Sequence, residues 1–171
     1  MLNTLGKSKK RSQQVQSLYA GLVNRAREPV FFRRFGVADT LDGRFDLLAL
    51  HAFLLLEQLR QAGQGDLAQG LTDTIFLGFD EGLRELGTGD MGMGRRMKAM
   101  ADAFYGRMQA YDTSRDPTAM AAAIARNLYR GTPGREAPCE ELAHYVFRVR
   151  DHLPRSDIGE GIADFGPLPG A

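Results

Sequence analysis

The sequence predicts an all-α fold, a single irregular bundle of about six helices with disordered N- and C-terminal tails. Three observations predict it. Apolar side chains recur at three- and four-residue spacing along most of the chain, the period of a helix with a buried face. No stretch of useful length alternates with a period of two, and neither an internal repeat nor a strand–turn–helix unit is present. Proline and glycine clusters punctuate the periodic stretches, which are long for a globin and joined by short connections.

Residues 1–11 read as a disordered basic lead. The first helix starts after Ser12, with Val15, Leu18, Tyr19, Leu22, Val23 and Ala26 on its stripe. Pro29 ends it, because the residue before proline is steered out of the helical region. Residues 30–42, VFFRRFGVADTLD, form a connector too aromatic to be a bare solvated loop. The second helix covers about 43–62, with Asp42 as its expected cap and Gly63 and Gly65 at its end. Leucine and phenylalanine cover most of its circumference, so it is either central to the core or covered by a partner.

The third helix covers about 66–86, with Leu67, Leu71, Ile75, Phe79 and Leu83 in line. A glycine-rich break follows at 87–94, GTGDMGMG, and then a fourth helix to about 113 with Met93, Met97, Met100, Phe104 and Met108. Asp116-Pro117 opens the fifth, a cap followed by proline at the first helical position. That helix continues to Gly131, and the last spans about 137–152. The expected domain is therefore 12–153, between the lead and a Gly/Pro-rich tail at 154–171.

At 171 residues, with 43% hydrophobic and 25% charged side chains, the composition is that of one globular domain and excludes global disorder. The single Cys139 excludes an internal disulfide and fits a reducing compartment. The longest strongly apolar run, Leu47 to Leu56, is half the roughly 20 residues that cross a bilayer. The start, MLNTLGKSKKRSQQ, has no apolar segment of the secretory kind. A cytoplasmic protein is expected, with peripheral contact to the inner face of the membrane as an option. Net charge is +1, yet residues 1–34 carry +7 and the remainder −6. Such asymmetry suits a basic arm facing a polyanion: RNA, a ribosome or an anionic lipid surface.

Candidate chemistry is sparse. GDMGMGRR, residues 89–96, is a near miss to a phosphate-binding loop. Arg95 and Arg96 stand where lysine and a hydroxyl residue belong, and a helix precedes it. A weak anion site at Arg95 and Arg96, near a helix start, remains beside the plainer reading of a flexible turn. Asp39, Asp42 and Asp46 surround Gly43, but the spacing fails as a calcium loop. They read as turn and helix-start residues, with Asp46 pairing with Arg44 or an arginine of the connector. His51 among leucines reads as a core histidine, and His144, His152 and Cys139 lack zinc-site spacing. No nucleophile, metal or cofactor motif gives a positive reason to expect an enzyme or a cofactor. More informative is apolar surface: Phe31, Phe32 and Phe35 interleave with Arg33 and Arg34, and Met93, Met97 and Met100 form a methionine-rich face. Such faces adapt to varied apolar partners, and equally serve as core filler.

Two segments, VADTLDGRFDLLALHAFLLL at 37–56 and FDEGLRELGTGDMGMGRRMKAMADAFYGRMQAYD at 79–112, resemble the ubiquinol–cytochrome c chaperone family. With the Tyr19 helix and the aromatic connector, the resemblance spans about 12–150. Its family-like positions here are Asp39, Asp42, Gly43, Arg44, Phe45, Asp46, Asp80, Leu83, Arg84, Gly89, Asp90, Arg96, Met97, Lys98, Phe104 and Tyr105. The resemblance implies a non-enzymatic assembly chaperone of the cytochrome bc1 complex. It would hold newly made cytochrome b, or another subunit precursor of that complex, alongside a small partner chaperone and near the ribosome. The short basic start, without a targeting presequence, resembles a bacterial member. A helical module that binds RNA or the ribosome through its basic N-terminal region is the alternative.

Overall fold

The computed structural model describes residues 2–85, 87 and 89–170, with the backbone alone for 2–5, 90 and 91. Among the described residues seven α-helices and no strand occur. They are α1 (Leu2–Ala26), α2 (Pro29–Arg33), α3 (Leu41–Gln61), α4 (Gly65–Glu85), α5 (Asp90–Asp112), α6 (Pro117–Asn127) and α7 (Glu136–His152). Two 3-10 turns follow, Leu153–Arg155 and Ile158–Glu160. The five-residue α2 aside, this is the expected bundle of six helices.

α3 is the central helix. From Asp46 to Leu56 every residue but Leu48 is buried, which is why its apolar residues run nearly all round. α1, α4, α5 and α7 pack against it, and α6 pairs with α7. α4 also packs against α1, and Gly70 and Gly78 allow the close approach: a side-chain carbon at either would run into Val15 or Tyr19. α7 buries Cys139, and that burial pushes the thiol up to about 11.

The entry to α3 differs from expectation. Thr40, not Asp42, caps it: the Gly43 amide donates to Thr40 Oγ1 at 3.2 Å. Asp42 lies in the first turn instead, favoured there by the helix dipole. Gly43 is fixed by close approach, since the Ala38 carbonyl occupies the place of its missing side chain. Asp116 caps α6 as expected, accepting from the Ala119 amide at 2.9 Å.

The ends and the connector carry more structure than their composition suggests. Residues 2–11, which lack proline, continue α1, and Arg11 reaches Asp66 at the start of α4. In the connector, Pro29 opens α2, where its missing N–H costs nothing, and Phe31 and Phe35 turn wholly inward. The C-terminal segment lies against the bundle and buries Ile158 and Phe165. No helix among the described residues is long and apolar enough to cross a membrane.

Candidate functional site

α1, α3, α4 and α5 meet at one end of the bundle and leave a groove of about 490 Å³. Its origin is local: α4 presents Gly78 and Gly82, and a side-chain carbon at Gly82 would meet nothing within 4 Å. α1 lines one wall with Tyr19, Val23 and Arg27. The N-terminal turns of α3 supply Leu41, Phe45 and Leu48, and α4 adds Phe79 and Leu83. Met100 of α5 closes the end. Leu41 remains 54% exposed at the rim. A second recess of about 350 Å³ shares Leu41, Phe45, Leu83 and Met100 and extends along α5 to Arg96, Arg107 and Arg130. The two form one apolar channel edged by arginine, of the size and make-up of a binding site.

An ion-pair hub braces the floor. Asp46 is buried, with one oxygen 2.6 Å from Arg107 and the other 3.3 Å from Arg130. Burial pushes its carboxyl up, and the two guanidinium groups pull it back without fully offsetting that. Arg130 also reaches Asp42 at 3.2 Å. It has a φ of 53°, a left-handed backbone that side chains rarely adopt, and the two carboxylates hold it there. Arg107 lies over the Phe45 ring at 5.0 Å. One carboxylate on α3 thereby ties α5 and the turn after α6 to the groove.

A second polar cluster lies in the core. His51 Nδ1 is 2.8 Å from the Leu47 carbonyl, which only accepts, so Nδ1 carries the proton. Nε2 then accepts from the Tyr145 hydroxyl at 2.9 Å. Burial pushes the imidazole down to about 4, so it is neutral, a core histidine as its leucine neighbours suggested.

The residues singled out from the sequence divide. Phe31 and Phe35 are core residues, removed from any surface, while Phe32 is half-buried and Arg33 exposed. Arg34 reaches Glu141 at 2.8 Å. Met93 is buried, Met97 half-buried, and Met100 alone of the three lines the groove. Asp46 pairs with neither Arg44 nor the connector. Arg44 is held by Asp39 at 2.7 Å, leaving Asp46 to arginines distant in sequence.

Of the family-like positions, Asp42, Arg44, Phe45, Leu83 and Arg96 meet at the channel. Asp80 pairs with Arg84 at 2.7 Å and Lys98 with Asp102 at 2.8 Å, both one helical turn apart. Gly89 precedes α5 as its cap residue. The Asp90 side chain lies outside the described residues. Phe104 is buried, and Tyr105, 55% exposed, stacks on Phe76. Arg95 is exposed beside Arg96 on the early turns of α5. Sequence reasoning missed Gly82, Arg107 and Arg130, because only the fold brings them to the channel.

Residues 33–160 match the family model described as ubiquinol-cytochrome C chaperone. The match takes in the α3, α4 and α5 walls of the groove. Over 144 residues the chain is 24% identical to ubiquinol-cytochrome-c reductase complex assembly factor 1 of Xenopus laevis, covering 82% of this chain and 72% of that protein. The fold is similar to the crystal structure of the Cbp3 homolog from Brucella abortus. The TM-score is 0.86 at 36% identity, covering 98% of this chain and 97% of that one.

Proposed function

The chain belongs to the ubiquinol–cytochrome c chaperone family, and from that premise we propose that its groove holds newly made cytochrome b during assembly of the bc1 complex. The observation that carries this reading is the apolar channel of α1, α3, α4 and α5, open at Leu41 and floored by the Asp46 hub. An unfinished membrane subunit presents apolar helix faces, and burying them against Phe45, Phe79, Leu83 and Met100 gains roughly 25 cal/mol per Å², less the cost of ordering. The work is retention, with no catalytic step. A small partner chaperone would sit outside the channel, and docking would take place at the inner face of the membrane. Another bc1 subunit precursor is the alternative client.

The groove can be filled without disturbing the core. Gly82→Phe places a ring in open space on α4. In a host lacking the native gene, the wild-type chain should restore assembled bc1 complex and cytochrome b, while Gly82→Phe should restore neither and melt at the wild-type temperature. Full restoration by Gly82→Phe rejects the groove as the client site. Normal bc1 levels in the host lacking the gene reject the function itself.

One observation favours a second reading. Residues 6–13 of α1 are all exposed, and Lys7 and Lys9 have no ion-pair partner among the described residues. A ribosome or RNA contact through them would weaken steeply with salt, and co-sedimentation at two ionic strengths tests it.

A further inference from the structure

The C-terminal segment makes a feature that the groove does not involve. From Ile162 to Gly170 the chain has no regular secondary structure and runs along α1 as a strap. The body grips it through side chains that donate to its carbonyls, Arg25 to Gly166 and Arg34 to Gly170 at 2.7 Å, and Gln14 holds the turn before it by donating to Gly159 at 2.7 Å. Two strap residues are buried, Phe165 and Pro169, and Phe165 is the larger. Phe165 is 4% exposed, set edge-on to His51 with ring centroids 5.8 Å apart. The Arg25 guanidinium lies 5.6 Å from the Phe165 ring and 5.7 Å from that of Tyr145. Phe31 closes the pocket against both His51 and Tyr145.

This arrangement is that of a receptor and its ligand. The pocket offers aromatic walls, a cation over the ring, and a donor for the carbonyl one residue further on. Arg25 Nε is buried there without a partner. The strap belongs to no helix, so lifting it breaks no helical hydrogen bond. Its other polar ties include His152 to Asp164 and the reciprocal bonds of Ser156 Oγ with the Asp164 amide and carbonyl, all exposed to water, and the Ile162 amide bonded to the Asp157 carbonyl.

We propose that the pocket of Arg25, Phe31, His51 and Tyr145 is a peptide-binding site, held in cis by Phe165 and open to a partner's extended segment bearing an aromatic residue followed by a small one. The strap is the internal competitor. A partner that supplies the same aromatic–carbonyl pair in trans displaces it, at a place separate from the groove.

The test uses the full chain and a fluorescent synthetic peptide of residues 156–170. Phe165→Ala in the chain empties the pocket and should bind the peptide roughly tenfold or more tightly than the wild type, whose pocket is filled. Adding Arg25→Gln should remove that gain, and a peptide with alanine at position 165 should not bind. Equal affinity for wild type and Phe165→Ala, or no binding to either, overturns the proposal. Hydrogen exchange on the unaltered chain decides the matter should Phe165→Ala fail to fold. The amides of Asp164 and Gly166, bonded to Ser156 Oγ and Asp164, should exchange orders of magnitude faster than those of Leu50 and Phe53. Exchange at the α3 rate means that the strap leaves only on global unfolding, which also overturns it.

Discussion

His51 shows how a single residue sets a pH dependence. Folded, the imidazole titrates near 4; unfolded, near 6.5. Between those values the unfolded chain binds the extra proton, so stability is complete above pH 6.5 and falls as the pH drops toward 4. At about 1.4 kcal/mol per pH unit the loss approaches about 3 kcal/mol. Asp46, whose carboxyl is raised, works in the opposite sense. Urea unfolding at pH 7.5 and pH 4.5 isolates the histidine: the difference between the two should shrink by about 2 kcal/mol or more in His51→Gln, with Asp46 common to both chains. An unchanged difference would mean that His51 is protonated in the folded state. The leucines around His51 made its burial legible in the sequence. Its bond to Tyr145 was not, because the partner lies 94 residues away.

At the level of the element, the start of α3 is the informative case. Glycine in a helix normally weakens it by up to about 1 kcal/mol relative to alanine, so Gly43→Ala ought to stabilise. The Ala38 carbonyl reverses the sign, because the added carbon has no room there and overpacking costs about 1–3 kcal/mol. A net loss of about 1–2 kcal/mol in chemical denaturation is expected. A gain would place the 37–40 segment elsewhere. The helices themselves were legible from their apolar period, mostly to within a few residues at each end, because every long one buries a stripe. Thr40 and α2 were less so. The eye goes to the acid nearest the apolar run, whereas the cap belongs to the residue whose backbone is extended, here Thr40 with φ −121° and ψ 170°. Phe31 and Phe35 read as surface because a turn of α2 in the connector was not foreseen.

On the scale of the whole molecule, the channel exists through convergence and omission. Four helices bring apolar residues together, and Gly82 withholds a side chain, so no local pattern announces it. Family likeness in the 37–56 and 79–112 segments covers α3, the end of α4 and α5, which line the channel, without indicating which side chains face each other. An apolar dye should report the channel directly. Leu41→Asp, at an exposed rim position, should cut dye fluorescence several-fold with little change in melting temperature. Unchanged fluorescence would place the accessible apolar surface elsewhere. The buried thiol of Cys139 has a use of its own. With its proton held to about pH 11 and its side chain 3% exposed beneath a recess of about 280 Å³ between α6 and α7, it reacts slowly with an alkylating reagent, at a rate set by how far that recess opens. The labelling rate at one atom is therefore a stopwatch for local breathing of the α6–α7 seam, with no reporter group added.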